Sequence, residues 1–290
     1  MEPSTLPSQD VGLGTAYERV AVYRLLDRWT LRRQVATAFE GPVDGMAGIP
    51  GLHLLGLARR GTRVTVALPD PAALDLVRDV YRLHGAAERL RTLRADPDAE
   101  LPAQRFDLVL TYNATPLVAD WQAYLSRLAP LAARWLVVSV TNPASYGVAI
   151  RKLQRLLEPK APAELFDHES IRPAALEPLL ARFGRTVEHE YLDCPWWPDL
   201  FVPTGQTLLG ATLERLPGLS RLAARLRRAP ADDHGARFLY GRDRFPLFPD
   251  APEWDELGRA LERHPVFDQR GTMLGRLFGH HHAYLIEISE

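Results

Sequence analysis

Short continuous apolar runs alternate along this chain with stretches in which apolar residues recur at helical spacing. Val35–Phe39 is a short apolar run that meets Glu40-Gly41-Pro42, which predicts a strand ending there. From Leu52 the apolar residues return at helical spacing (Leu52, Leu55, Leu57, Ala58), and Arg59-Arg60-Gly61 closes that helix. Basic residues suit a helix C-terminus and glycine suits the position after it. Arg63–Ala67 is rich in β-branched residues and predicts a second strand. Strand, glycine-bearing loop, helix and strand form a βαβ unit, in which ligands bind at the carboxyl ends of the strands.

The same alternation runs through the rest of the chain. Thr15 caps a predicted helix over Ala16–Arg33, after a flexible tail over residues 1–13. Tyr17, Val20, Val22, Tyr23, Leu25, Leu26 and Trp29 give it a broad apolar face. Tyr17 suits either helix packing or a lid over a ligand. Asp70-Pro71 opens a helix that ends at His84-Gly85, since Asp suits the cap and Pro the first turn. Leu90–Leu93, Phe106–Thr111, Trp135–Val140, Thr186–Asp193 and Ala283–Ile288 predict further strands. Helices are predicted over Val118–Ala133, Val148–Leu157 and Ile171–Phe183. Strands this continuously apolar are covered on both faces, so the fold class is α/β, a doubly wound and mostly parallel sheet.

Composition narrows the function classes. The 290 residues are 46% hydrophobic and 24% charged, a globular balance with length for a full core. Net charge is -1, so no whole-chain field recruits nucleic acid. Only Lys152 and Lys160 among the basic residues are lysine, which points to coding bias more than to a binding role. The single cysteine, Cys194, rules out an intramolecular disulfide and a cysteine-based zinc site. The N-terminus has no signal-peptide pattern and no apolar run approaches a membrane span, so a cytoplasmic location with no integral membrane segment is expected.

The run from Glu40 to Asn142 resembles a class I S-adenosylmethionine-dependent methyltransferase, of the type 11-like kind. AFEGPVDGMAG stands where that family has its acidic residue and glycine-rich loop. RRGTRVTVALPDPAALDLVR looks like the second strand and following helix, and the Asp96 loop stands where the family contacts adenine. FDLVLTYNA looks like the fourth-strand signature, whose exit loop often faces the methyl group and acceptor. Ala283–Ile288 matches the antiparallel seventh strand that closes the family's sheet. The resemblance implies a seven-stranded Rossmann-like sheet, S-adenosylmethionine as cofactor, and methyl transfer to a small-molecule or lipid-like acceptor. It implies cofactor contacts from Glu40, Gly41, Gly45, Gly48, Asp70, Asp96 and Asn113. Glu40 would receive the cofactor's ammonium group, and the glycines would let the backbone approach closely. Ala67-Leu68-Pro69 stands where the family has a carboxylate for the ribose, so Asp70 is either a reader of the ribose or a plain helix cap. A catalytically inactive binding or scaffold protein is the alternative. A nicotinamide-dinucleotide site is ranked lower, since Gly45-Met46-Ala47-Gly48 does not match its glycine pattern.

Acceptor recognition is expected from the remaining chain. Tyr112 and Asn113 leave the fourth strand, and Asn142 and Tyr146 leave the fifth. His168 is either a general base, since imidazole titrates near neutrality, or a loop residue that positions a helix. Trp196 and Trp197 stand between prolines and either wall an acceptor pocket or pack a corner. Asn113 and His168 are the candidate catalytic residues. Gly279-His280-His281-His282 suits a polar strand entry better than a metal site. Only His280 and His282 would share a strand face, and no third ligand is evident, so no metal is expected. The expected organisation is an N-terminal tail and helix over 1–33, a cofactor-binding core over 34–199, a helical insertion over 200–280 and the last strand over 281–290. The insertion's leucine- and arginine-rich stretch suits a substrate cap or a homodimer contact.

Overall fold

The apolar runs become seven strands: β1 (Thr37–Asp44), β2 (Arg63–Leu68), β3 (Leu90–Arg94), β4 (Phe106–Tyr112), β5 (Ala132–Thr141), β6 (Gly184–Leu192) and β7 (His281–Ile288). The helices between them are α1 (Leu13–Thr30), α2 (Leu55–Arg59), α3 (Pro71–Leu83), α4 (Trp121–Leu128), α5 (Pro173–Phe183) and α6 (Met273–Phe278). This computed structural model describes residues 13–44, 49–101, 103–149, 169–193, 248 and 273–289. Of the expected insertion, only Phe248 and the α6 region fall among them.

The strands form one sheet in the order β3-β2-β1-β4-β5-β7-β6. β1 pairs in parallel with β2 and β4, and β4 with β5. β7 runs antiparallel to both of its neighbours, so the sheet is mixed. One face, with Val64, Val66, Leu108, Leu110 and Val137, is covered by α1, α2 and α3. The other, with Phe39, Val109, Leu136 and Val138, is covered by α4 and α5. Double cover explains the continuous apolar runs, because alternate residues must satisfy opposite cores. α1 has Glu18 at the carboxyl edge, and Arg33, three residues past its end, lays its guanidinium over Trp135 near the start of β5. It is held to β6 by Glu190, which accepts from Trp29 Nε1 at 2.8 Å and Arg28 at 2.6 Å. Among the described residues no helix is long and apolar enough to cross a membrane.

Several boundaries differ from the sequence reading. β1 does not stop at Glu40 but continues to Asp44, with a register shift against β4 between those two residues. That irregularity accommodates Pro42, which has no N–H for the ladder. Gly41 makes it possible, with φ 113° and so close an approach to β2 that a Cβ there would lie 2.0 Å from the Ala67 carbonyl oxygen. α2 is only five residues long, shorter than predicted from Leu52. α4 starts at Trp121 rather than Val118, because Asp120 accepts from Ala123 N at 2.9 Å and caps it there.

Candidate active site

A cavity of about 510 Å³ opens at the carboxyl ends of β1 and β2. Pro42 and Val43 form one wall, Leu68 and Pro69 another, and Ala72, Ala73 and Leu76 of α3 a third. Pro50, Pro97 and Leu117 complete the apolar lining, so Asp70 is the one ionisable side chain among the described lining residues. Its Oδ1 accepts from Ala72 N at 2.9 Å. Asp70 therefore does cap α3, and it does so on the rim of the cavity. Asp96 is exposed in the loop after β3, next to Pro97.

The carboxylate of Glu40 turns away from this opening. Its Oε1 lies 2.5 Å from Nδ1 of His53, and its Oε2 accepts from Leu54 N at 3.1 Å. Leu54 precedes α2 and has no cap of its own, so Glu40 supplies the acceptor from the neighbouring strand. Glu40, expected to receive a ligand's ammonium group, thus has both oxygens engaged within the protein. Gly41, expected to approach the ligand, makes its close approach to the backbone of β2.

Beyond β4 the same edge carries buried polar groups. The ring of Tyr112 stacks on His53 with centroids 4.3 Å apart, and its hydroxyl donates to Glu18 Oε1 at 2.8 Å. His281 lies 3.7 Å from Glu18 and 3.6 Å from Asp193. His280 Nδ1 lies 3.0 Å from the same Asp193 oxygen. Burial pushes the Asp193 carboxyl up, but His280 and then His281 hold it well below the usual carboxylate range. Tyr17 is buried beside Glu18 in α1.

Other candidates have structural roles. Asn113 has φ 46°, and its Oδ1 accepts from the backbone N and the hydroxyl of Thr141, tying the exit of β4 to that of β5. Asn142, expected at the substrate, makes hydrogen bonds within the protein: Nδ2 donates to the Arg276 and Gly279 carbonyls at 2.7 Å each, and Oδ1 accepts from Ala144 N. Tyr146 packs edge-on against Phe278. The histidines at β7 are buried rather than a polar entry. His280 and His281 both turn to Asp193, whereas His282 faces His189 and the Ile171 carbonyl on the other side. Alternation fails to pair His280 with His282 because His280 precedes the strand. Burial and the charge of His189 hold the His282 imidazole down at about 3. Among the described residues no group of three or more His, Cys, Asp or Glu side chains could hold a metal ion. Gly45, Gly48, His168, Trp196 and Trp197 lie outside the described residues.

Glu18, His53, Asp193 and His281 were not singled out as site residues from the sequence. His53 left one signal, a lone polar residue inside the apolar run Leu52–Leu55. Glu18 left none, because it is one of the charged residues that lie between the apolar positions of α1, yet Tyr17 to Val20 are all buried.

No protein-family model and no curated protein matches the chain. Among solved structures it is similar to a SAM-dependent methyltransferase of Thermotoga maritima, described as a possible histamine N-methyltransferase, at 11% identity and TM-score 0.50 over 96% of this chain and 92% of that one. The fold is that of the class I S-adenosylmethionine-dependent methyltransferases. Magnesium protoporphyrin IX methyltransferase of Synechocystis PCC 6803, solved with bound SAH, is similar at 16% identity and TM-score 0.45 over 60% of this chain and 77% of that one. Coclaurine N-methyltransferase, bound to N-methylheliamine and SAH, is similar at 13% identity and TM-score 0.36 over 42% of this chain. The match spans only 35% of the coclaurine enzyme's length.

Proposed function

We propose that the protein transfers a methyl group from S-adenosylmethionine to a small-molecule or lipid-like acceptor. The observation that carries this reading is the apolar cavity at the carboxyl ends of β1 and β2, with Asp70 on its rim. The residues fit the nucleoside half of that cofactor. Pro42, Val43, Leu68 and Pro97 offer apolar surfaces for a base, and Asp70, with Oδ1 on Ala72 N, offers carboxylate acceptor capacity to ribose hydroxyls. When bound, the cofactor supplies a methyl group on a sulfonium, which is already electrophilic. The chain's task is then to position the acceptor and exclude water. Glu18 of α1, buried against Tyr112 at the end of β4 and His281 at the start of β7, helps to perform the exclusion.

Calorimetry with S-adenosylmethionine and S-adenosylhomocysteine tests the proposal. Saturable binding of both is expected, and Asp70→Asn should weaken it by about tenfold, the worth of one hydrogen bond to a charged group. Absence of binding by either at millimolar concentration would refute it. A catalytically inactive binding protein is the second reading, favoured by the withdrawal of Glu40 into the His53 network and by Leu68 at the end of β2. It predicts cofactor binding without transfer of labelled methyl to any component of a cell extract.

A further inference from the structure

An acid–imidazole cluster lies along the same carboxyl edge, reaching from Tyr112 of β4, the strand beside β1, to His281 of β7, and none of its residues lines the cavity. Tyr112 pairs with Asp44 of β1, and the wall residues Pro42 and Val43 immediately precede Asp44. The ring of His281 lies 5.3 Å from that of Tyr112. Its Nε2 is 3.7 Å from Glu18 Oε1 and its Nδ1 is 3.6 Å from Asp193 Oδ2. Three elements that are far apart in the chain thus bring two buried carboxylates to opposite nitrogens of one imidazole. The charged and titratable groups facing His281 are Glu18 from α1, Tyr112 from β4 and Asp193 from the end of β6. His280 and His282 flank it on its own segment. Two carboxylates within ion-pair range stabilise an imidazolium once it forms.

We propose that His281 takes the proton from a neutral hydroxyl- or amine-bearing methyl acceptor, with Glu18 and Asp193 as positioning residues. The inference rests on the methyl-transfer reading. Transfer from a sulfonium to a neutral O–H or N–H group expels a neutral thioether and leaves one surplus proton on the acceptor. That proton passes to His281, and the imidazolium formed is held between Glu18 and Asp193. No oxidant, reductant or further reactant is needed.

The test uses the full chain, labelled S-adenosylmethionine and two phenols at pH 8: 4-methylphenol, which is neutral, and 4-nitrophenol, which is ionised. His281→Gln should lower transfer to 4-methylphenol by about 100-fold, the lower end of general-base contributions, and leave transfer to 4-nitrophenol within about threefold. Equal loss on both phenols, or transfer by the wild type to neither, overturns the proposal. An NMR titration of His281 supplies a readout independent of turnover. Glu18→Gln and Asp193→Asn should each move its titration to lower pH, because a nearby opposite charge is removed. An unmoved titration overturns the positioning roles. S-adenosylhomocysteine calorimetry separates the failures: retained binding with a failed phenol test sinks the base alone, and lost binding sinks the cofactor reading.

Discussion

Glu40→Ala separates a residue that holds the fold from one that holds a ligand. Glu40 is 2% exposed and His53 is fully buried. The carboxylate is the partner of His53 Nδ1 at 2.5 Å and of Leu54 N at 3.1 Å. Removing it takes an acceptor from a buried imidazole and from the N–H groups of His53 and Leu54, just ahead of α2. Breaking a buried pair by deleting one partner costs about 3–5 kcal/mol. For a chain of this size that corresponds to a fall in Tm of roughly 6–20 °C. Glu40→Gln keeps the shape and one acceptor, so it should cost about 1–2 kcal/mol. A double-mutant cycle with His53→Ala should return a coupling of about 1–3 kcal/mol. Calorimetric melting of the four proteins measures all of this. An unchanged midpoint in Glu40→Ala, together with lost S-adenosylhomocysteine binding, would refute the structural role and return Glu40 to the ligand.

Gly41→Ala should cost about 3 kcal/mol or more, since its Cβ would meet the Ala67 carbonyl at 2.0 Å and φ is 113°; near-normal urea unfolding would contradict the tight β1–β2 contact. Glu190→Ala leaves Trp29 Nε1 and Arg28 without their carboxylate, and should cost about 2–4 kcal/mol and raise amide exchange along α1. Unchanged exchange there would show that apolar packing alone holds the helix. The His282 imidazole is held at about 3 against an ordinary value of 6.5, first by burial and then by the charge of His189. The unfolded chain therefore binds more protons between those values, and stability falls as pH drops from 6.5 towards 3. Between about pH 7.5 and 5 the loss should be about 2 kcal/mol in urea unfolding. His282→Gln should remove that slope, and a flat wild-type profile would contradict the buried neutral imidazole.

Much of the fold was legible because each element's pattern is local. The run Phe106–Thr111 and the cap Asp70 reappear as a strand and an N-cap. The path through Glu40-Gly41-Pro42 was not legible, because whether a strand survives a proline depends on what lies beside it. Here a glycine backbone presses on β2, and a register shift absorbs the missing N–H. The site divided in the same way. Pro42, Leu68 and Asp70 fell where the strand ends predict a cavity, whereas Asn142 was spent on the α6–β7 turn more than 130 residues away.

By itself the sequence determined the order and type of the strands and the edge of the sheet at which the cavity opens, because hydrophobic periodicity and caps act over a few residues. Only the tertiary structure decided which polar groups are spent on the fold and which gather into a site. A carboxylate's role depends on the donors that surround it. For Glu40 these are His53 and Leu54, and Glu18 and Asp193 meet at His281 from distant parts of the chain. No spacing along the sequence records those neighbours.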